Sequence, residues 1–246
     1  MRCKWLALAL CLCMLSGACA EERFVFGTSE MGRALTCARI GNEGAEKSLL
    51  MTFAVHGFED AYDHDGWVLV EIAEKLIAHY AADPSGLNGH ALYVVPCVNP
   101  DGLLEGKSRD GFGRANANGI DINRDFSARW KEYPNARNRT GDAPFASAEA
   151  RAVRDLVQTV QPAWGVDVHG WIECVYGTRN LARPFMEAFG VEYADYMTGG
   201  KLSQWVARNA EAAVLVELPR DPAQENYVAD CAQKLAAALD TWFAAQ

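Results

Sequence analysis

The length, charge and composition of this chain restrict the kinds of protein it can be. It has 246 residues and a formal net charge of −9, and 50% of its residues are hydrophobic. This length supports one sizeable domain with its own core. An acidic chain does not neutralise phosphate groups, so we expect no nucleic-acid partner. Beyond residue 20 no apolar stretch is long enough to cross a bilayer, and we expect no stable membrane span.

The start of the chain has the pattern of an export signal. A basic beginning is followed by an apolar segment over residues 5–15, which is too short for a comfortable membrane span. Ala18-Cys19-Ala20 then fits a small-residue cleavage site. We therefore predict a signal peptide over residues 1–20 and a mature domain over residues 21–246, located in the periplasm, the cell wall or the extracellular space.

A lipid anchor is the alternative at this terminus. Ser16-Gly17-Ala18-Cys19 loosely resembles a lipobox, the motif whose cysteine carries the lipid in bacterial lipoproteins. That motif usually has an aliphatic residue at the position of Ser16, so we favour a cleaved signal over lipidation of Cys19.

The number of cysteines is typical of a disulfide-rich protein, but their positions along the chain are not. Of the eight, four lie in the predicted signal. The others are widely spaced and form no CxxC pair, unlike the cysteines of a structural zinc site. In an exported protein they permit three disulfide connectivities, and buried free thiols are the alternative that we favour. These four are Cys37, Cys97, Cys174 and Cys231.

Strand and helix signals alternate along the mature chain. They predict a single α/β domain with a mixed, mostly parallel central sheet flanked by helices. Four apolar runs are typical of short buried strands. They cover residues 49–55, 91–98, 164–168 and 212–216. After the second run, Asn99-Pro100-Asp101-Gly102 predicts a turn, and the Gly-, Asn- and Arg-rich residues 106–118 predict a long loop.

Three segments show helical signals. The first covers residues 66–80 and is followed by a turn that contains proline and glycine. The second begins after Ser147, whose hydroxyl can cap it, and runs to Val160. The third is predicted to start at Asp221, because a proline in the first turn and a glutamine three residues after the cap are typical of a helix start.

Three of the predicted strands end in residues that can bind zinc or activate water. His56 and Glu59 follow the first strand, His169 ends another, and Glu217 ends the last. In a parallel sheet the site forms just beyond the carboxyl ends of the strands, so these side chains are expected to meet. Two histidines and a carboxylate supply three zinc ligands and leave one position open for water. The second carboxylate can then act as general base.

A structural role is the alternative for each of these residues. His56 and His169 could be buried histidines with satisfied hydrogen bonds, and Glu217 could form a salt bridge to Arg220. Their common position at strand ends favours the metal, which would also provide the partner that a carboxylate on an apolar strand needs. The other histidines lie in polar turns or near a helix end and are expected to be exposed: His64, His79 and His90.

These motifs together resemble the zinc metallocarboxypeptidase family. The residues that carry the resemblance, in chain order, are His56-x-x-Glu59, Asn99-Pro100-Asp101-Gly102, Arg114, Asn123-Arg124, His169 and Glu217. Cys97–Gly102 and Arg114–Gly119 resemble, at almost every residue, the corresponding segments of the bacterial murein peptide amidases. Those enzymes cut γ-D-glutamyl–diaminopimelate bonds. The likeness extends over essentially all of the mature chain.

The resemblance implies one catalytic zinc ion and a set of residues around it. His56, Glu59 and His169 match the ligands, and Glu217 matches the general base. Asp121 resembles the carboxylate that stands behind the first histidine ligand and fixes its tautomer.

The resemblance also implies how the substrate is held. Arg114 matches the arginine that stabilises the oxyanion, while Asn123 and Arg124 match the pair that binds the free carboxylate of the substrate. Without the zinc residues, the segment that carries these side chains would be interpreted as a surface loop. Tyr196 resembles a mobile tyrosine that closes over bound substrate. Lys201 lies near the expected specificity pocket, as either a substrate contact or a solvated charge at a helix start, and we favour the solvated charge.

The function implied is that of an exported zinc peptidase or amidase, which hydrolyses the γ-D-glutamyl–diaminopimelate bond of peptidoglycan stem peptides. One alternative is a general zinc carboxypeptidase that trims L-peptides. Another is a catalytically silent envelope protein that binds peptidoglycan, against which the intact Glu217 argues. An aspartoacylase-like deacylase also uses HxxE and a histidine, but the asparagine-rich residues 114–124 and the export signal favour the peptidase. The sequence leaves the oligomeric state open.

Overall fold

The structure is a computed structural model that describes residues 21–246, so the predicted signal peptide and the lipobox-like motif lie outside the described residues. In chain order the strands are β1 (Glu22–Thr28), β2 (Ala34–Gly41), β3 (Ser48–Phe53), β4 (Ala91–Val95), β5 (Ser108–Ala115), β6 (Trp164–Gly170), β7 (Cys174–Gly177), β8 (Glu192–Tyr193) and β9 (Ala212–Leu218). The helices are α1 (Gly66–Ala82), α2 (Pro100–Glu105), α3 (Ala148–Val160), α4 (Arg179–Phe189), α5 (Leu202–Val206) and α6 (Tyr227–Ala244).

Within this part of the chain, eight strands form one mixed sheet in the order β1-β2-β4-β3-β6-β9-β7-β8. The central strands β4, β3, β6 and β9 run parallel to one another. Antiparallel pairs complete both sides, β2 on β4 and β7 on β9. The predicted single α/β domain with a mostly parallel sheet is therefore confirmed.

Helices cover both faces of the sheet, because alternate residues of the central strands point to opposite sides. In β3, Leu49 and Met51 belong to the core shared with α1, α4 and α6, whereas Leu50 belongs to the core shared with α3 and α5. All three side chains are buried, and burying one such side chain contributes about 1.5–3 kcal/mol. A sheet buried on both faces holds its strand ends rigidly, and these ends carry the functional side chains.

Two of the three predicted helices are observed where the sequence places them. The segment predicted over residues 66–80 forms α1, and the helix after Ser147 is α3, in which the Ser147 hydroxyl accepts a hydrogen bond from the Ala150 amide. The predicted start of the last helix at Asp221 is wrong. Turns occupy residues 221–226, and α6 begins at Tyr227, whose hydroxyl donates to the Pro219 carbonyl.

Three other local predictions need correction. The strand predicted over residues 91–98 ends at Val95, because Pro96 has no amide hydrogen to donate to a neighbouring strand. The predicted turn at residues 99–102 starts the short helix α2, which the Asn99 side chain caps by accepting from the Gly102 amide. Part of the loop predicted over residues 106–118 forms β5, stabilised by contacts with distant parts of the chain.

The remaining expectations concern cysteines, histidines and membrane spans. The four cysteines of residues 21–246 are free thiols, three buried and Cys97 partly so. His79 is exposed as expected, whereas the expectation is wrong for His64 and His90, which are half-buried. The His64 ring contacts Phe58, and the His90 ring contacts Trp164 and Phe243. Among the described helices, none has the length and apolar character needed to cross a bilayer.

Candidate active site

The register of two neighbouring strands places His169 and Glu217 side by side. In the parallel pair β6 and β9, these two residues are direct partners, near the carboxyl end of each strand. Paired residues of adjacent strands project their side chains on the same face of a sheet. A histidine and a carboxylate therefore stand together at the edge where ligands bind in open α/β sheets.

The segment that carries His56 and Glu59 leaves the end of β3 and is fixed by a second part of the chain. The amides of Gly57 and Phe58 donate to the Gly113 carbonyl of β5 at 3.0 and 3.1 Å. A side chain at position 57 would meet the backbone of residues 102 and 103 at 2.2–2.3 Å, so only glycine allows this close approach. The metal-ligand segment is thus held against the strand that also carries Arg114.

The buried Asp65 holds the same segment from the other side. Its carboxylate accepts hydrogen bonds from the amides of Glu59, Asp60 and Ala61 and from the indole of Trp171. The sequence analysis did not identify Asp65 as important. The signal for it was its position directly before α1, six residues after a predicted ligand. An aspartate at a helix start can accept hydrogen bonds from nearby backbone amides, including those of the preceding loop.

Three potential ligands converge in the buried space between these elements. Glu59 Oε2 lies 3.0 Å from His56 Nδ1, and Glu59 Oε1 lies 2.9 Å from His169 Nδ1. The three ligand atoms all lie within 4.8 Å of one another, and all three residues are buried. Two imidazoles and a carboxylate are ligands that zinc prefers in catalytic sites, so these residues fit the ion that the sequence predicts.

Each histidine is oriented through its other ring nitrogen by a second carboxylate. Asp121 Oδ1 lies 3.1 Å from His56 Nε2, and Asp167 Oδ2 lies 2.9 Å from His169 Nε2. An imidazole that donates from Nε2 has a bare Nδ1, the atom that faces Glu59 in both residues. The sequence analysis assigned Asp121 to this position but missed Asp167. A lone acidic residue in the apolar run 164–168, two residues before a ligand, was the signal for it.

The charges around the metal site compensate one another. Burial raises the pKa of Glu59, but His56 and His169 outweigh it and hold that pKa far below its usual range. For His169, burial lowers the pKa, yet the nearby Asp167 and Glu59 raise it to about 10. This dense negative charge stabilises a cation at the centre of the cluster, whether it is a proton or a metal ion.

Glu217 has a buried carboxylate oxygen without a hydrogen-bond partner, as Asp121 does, but the Asp121 oxygen lies 3.5 Å from Arg114. The Oε2 of Glu217 is buried and accepts no hydrogen bond within residues 21–246. Burial raises the pKa of Glu217 to about 7, against the opposing influence of His169. The salt bridge to Arg220 that the sequence left open is absent from the described contacts, since Arg220 pairs with Glu173 at 3.0 Å. A buried carboxylate with a pKa near neutrality suits proton transfer.

Arg114 reaches the metal site from β5. Its two terminal nitrogens lie 3.8 Å from Glu59 Oε2 and 3.5 Å from Asp121 Oδ2. The side chain is buried, and its Nε donates to the Arg137 carbonyl at 3.3 Å. The guanidinium is therefore fixed beside the ligand cluster, where it can donate to an oxygen that becomes negative.

The Asn123–Arg124 turn forms the opposite wall of the cleft. Asn123 is a buried residue that accepts from the Leu202 amide, with its Nδ2 3.1 Å from His169 Nε2. Arg124 donates to the Asn123 carbonyl, while its buried Nε has no hydrogen-bond partner in the described part of the chain. An unpaired guanidinium that lines a cleft can receive a carboxylate.

The cleft brings together most of the predicted site residues in a volume of about 220 Å³. Tyr196 is not among the described residues that line it. The Tyr196 hydroxyl is 2.8 Å from Ser203 Oγ, and its ring stacks on Tyr176, so its closure over substrate stays a prediction. Lys201 does line the cleft and is only partly exposed. Its interpretation as a solvated charge is therefore wrong.

A zinc hydrolase is the class of protein that this fold and this site define, since a metal cluster and a buried base meet at the carboxyl edge of an α/β sheet. The model of the zinc carboxypeptidase family matches residues 20–241, and the chain belongs to this family. It is a zinc metallopeptidase, and His56, Glu59 and His169 form its candidate metal site.

Individual relatives extend this result. Murein peptide amidase A of Escherichia coli K12 is 35% identical, and the match covers 84% of this chain and 89% of that protein. Bacteriocin BCN5 of Clostridium perfringens is 32% identical over 80% of this chain, but the chain spans only 23% of the bacteriocin's length.

Solved structures show the same fold. The murein-tripeptide amidase MpaA from Escherichia coli O157 has a TM-score of 0.65 at 28% identity, with 92% of this chain and 93% of that chain covered. Bovine thrombin-activatable fibrinolysis inhibitor has a TM-score of 0.74 at 15% identity, covering 92% and 91% of the two chains, and supports the fold alone.

Proposed function

We propose that this protein is an exported amidase of peptidoglycan stem peptides, which hydrolyses the amide bond between γ-D-glutamate and diaminopimelate. The observation that carries the substrate class is the match to murein peptide amidase A, since it extends over most of both chains. A gamma-D-glutamyl-L-diamino acid endopeptidase of Lysinibacillus sphaericus, 30% identical over 44% of this chain, supports the same type of bond.

The geometry supports amide hydrolysis by the residues of this chain. His56, Glu59 and His169 would hold a zinc ion, whose chemistry there would be to polarise the scissile carbonyl and to lower the pKa of water. Glu217 takes the proton of the attacking water on its carboxylate and delivers that proton to the nitrogen of the departing amine. The carbon–oxygen bond forms as water adds, and the carbon–nitrogen bond breaks as the amine leaves. Arg114 donates to the carbonyl oxygen while that oxygen bears negative charge.

The recognition of the free carboxylate is assigned to the Asn123–Arg124 turn. A guanidinium presents donors in a planar fork that matches a carboxylate, and Arg124 faces the cleft with its Nε unpaired. A substrate anchored there by its terminal carboxylate would present its last amide bond to Glu217 and the ligand cluster. This arrangement explains why cleavage is expected at the end of the peptide and why it needs an unblocked carboxylate.

Export is part of the proposal and rests on the first 20 residues, whose basic, apolar and small-residue sections follow the order of a signal peptide. Peptidoglycan lies outside the cytoplasmic membrane, so an exported enzyme would reach its substrate directly. Mass spectrometry of the protein recovered from the host envelope or medium should give a mature chain that begins near Glu21. A chain that retains Met1, or a lipid on Cys19, would contradict cleavage at this site.

The proposed reaction can be tested with the tripeptide L-Ala-γ-D-Glu-meso-diaminopimelate. Zinc-loaded protein is incubated with this peptide beside the Glu217→Gln variant, and mass spectrometry follows free diaminopimelate. Release by the wild-type protein alone is the expected result, because the variant keeps the ligands but loses the proton acceptor. Absence of release by folded, zinc-loaded wild-type protein would refute the proposed substrate.

A matched L-peptide separates this proposal from general carboxypeptidase activity. The family includes carboxypeptidase B of Astacus astacus, 27% identical over 53% of this chain. The comparison substrate is L-Ala-L-Glu-meso-diaminopimelate, which differs in the stereochemistry and linkage of glutamate. We expect a kcat/KM at least about tenfold lower for this peptide, a difference of about 1.4 kcal/mol in transition-state stabilisation. Equal or faster cleavage of the L-peptide would favour the carboxypeptidase.

A further inference from the structure

Lys201 stands in the wall of the catalytic cleft rather than in solvent. Its side chain borders the same cavity as Arg124, Glu217 and the metal ligands, and the residue is only partly exposed. A lysine that is largely withdrawn from water at such a place needs a physical reason, because burying an ammonium group without a partner is costly.

The backbone on either side of Lys201 is fixed against the Asn123–Arg124 segment. The Gly200 carbonyl accepts from the Phe126 amide at 3.0 Å, and the Leu202 amide donates to Asn123 Oδ1 at 3.0 Å. Gly200 has a φ of +77°, and a side chain there would meet the Arg124 carbonyl at 2.2 Å. Lys201 is therefore held next to the arginine that is assigned to the substrate carboxylate.

The cations that line the cleft fall into two groups. Arg114 and Arg137 both have carboxylates within salt-bridge distance, Arg114 at 3.5 Å from Asp121 and Arg137 at 2.6 Å from Asp60. Arg124 and Lys201 form no salt bridge within 4.0 Å among residues 21–246. Burial and the positive charge of Arg124 lower the pKa of Lys201 to about 8, against the opposing influence of Glu217 and Asp121, neither of which lies within salt-bridge distance of it.

Two unpaired cations in one cleft call for two anionic groups on the ligand. One terminal carboxylate satisfies Arg124, and a second negative group is needed beside Lys201. Building on the proposed function, we infer that Lys201 is a specificity-determining residue, which binds a second carboxylate on the side chain of the C-terminal residue of the substrate. The enzyme would then select a terminal residue whose side chain ends in a carboxylate.

Diaminopimelate meets this requirement and lysine does not. The two amino acids have the same carbon chain up to the terminal amine-bearing carbon, where diaminopimelate carries an additional carboxylate. A peptide ending in lysine would bring an ammonium group near Lys201 without a neutralising anion. Discrimination between these residues would therefore arise from an attraction and a repulsion at one point of the cleft.

The test uses three tripeptides that share L-Ala-γ-D-Glu and differ only in the last residue. These residues are meso-diaminopimelate, diaminopimelate with an amidated side-chain carboxylate, and L-lysine. We expect the wild-type protein to prefer the first by about 10- to 100-fold in kcat/KM, the range for hydrogen bonds to charged groups. Lys201→Met should lose this preference, because it slows the first reaction and relieves the repulsion that slows cleavage of the lysine peptide. Lys201→Arg should retain it, and Lys75→Met on the exposed face of α1 is the matched control.

Equal cleavage of all three peptides by the wild-type protein would overturn the assignment. The same holds if Lys201→Met slows all three equally, since the lysine would then serve the terminal carboxylate or the fold. Calorimetry supplies a readout that does not need catalysis: free meso-diaminopimelate should bind the zinc-loaded wild-type protein more tightly than L-lysine, and Lys201→Met should bind them equally. If no tripeptide is cleaved, the proposed function fails, and this binding comparison still decides the role of Lys201.

Discussion

The two walls of the catalytic cleft differ in whether their charged side chains are paired with groups of opposite charge. On the metal wall, formed by His56, Glu59 and His169, the functional groups are paired, and further carboxylates contact both histidines. On the recognition wall, formed by Arg124 and Lys201, the cations have no salt bridge within the described residues. The first wall is paired by residues of the chain itself, and the second is charged until a substrate neutralises it.

This difference indicates how binding energy is used. Groups that must hold a fixed geometry throughout the reaction are supported by neighbours, as catalytic zinc ligands usually are. Groups that recognise substrate gain most when their partner arrives with the ligand, because a pre-paired cation would first have to give up its partner. Changes on the metal wall should therefore affect chemistry and metal affinity, and changes on the recognition wall should affect substrate choice.

The largest effect is expected for Glu217, which lies between the two walls. Glu217→Gln should lower kcat by about 100- to 10,000-fold, because the amide cannot accept the proton of water. The rate of diaminopimelate release from the tripeptide measures this loss, and metal analysis should show an unchanged zinc content. Activity within tenfold of the wild-type protein would mean that another group is the base.

Arg114 should give the next largest effect. Its replacement by alanine removes one donor to the developing oxyanion and should lower kcat about 100-fold or more. Arg114→Lys keeps the charge but not the planar fork, so an intermediate rate is expected. Zinc must remain bound in both variants for this interpretation to hold. Near-normal turnover of Arg114→Ala would contradict the assigned role.

A substitution at Asp167 weakens the contact between a carboxylate and the metal ligand His169. Asp167→Asn keeps the shape of the side chain but weakens its hold on His169, and we expect zinc affinity to fall about 10- to 100-fold. Competition with a chelator measures this affinity directly, without any substrate. The exposed Asp155→Asn on α3 is the control of equal charge change. Equal zinc affinity in the two variants would show that Asp167 does not support the ligand.

The smallest effect is expected at Tyr196. Tyr196→Phe should lower kcat/KM by about three- to tenfold if its hydroxyl closes over substrate, the range of one ordinary hydrogen bond. Ser203→Ala removes the observed partner of the same hydroxyl and should leave kcat/KM nearly unchanged. Identical effects of the two substitutions on kcat/KM would assign the tyrosine a structural role only.

The sequence predicted the metal wall better than the recognition wall, and the reason is physical. His169 and Glu217 end apolar strands, and parallel pairing brings the ends of such strands to one edge. On the recognition wall, Lys201 lies next to a residue whose amide donates to the distant Asn123. Strand β5, which carries Arg114 beside the metal wall, likewise depends on distant contacts such as the hydrogen bonds to Gly113. The loop prediction over residues 106–118 failed for that reason, and so did the solvated interpretation of Lys201.

Strand periodicity and residue chemistry are local properties, so the amino-acid sequence was sufficient to predict the α/β fold, the carboxyl-edge position of the site and the chemical types of the metal ligands. The contacts of Asp167 with His169 and of Asp65 with the Glu59 amide emerge only in the folded protein, since no spacing rule specifies them. The tertiary structure also decided which cations are paired. Pairing depends on distances between segments far apart in the chain, and those distances exist only in the folded protein.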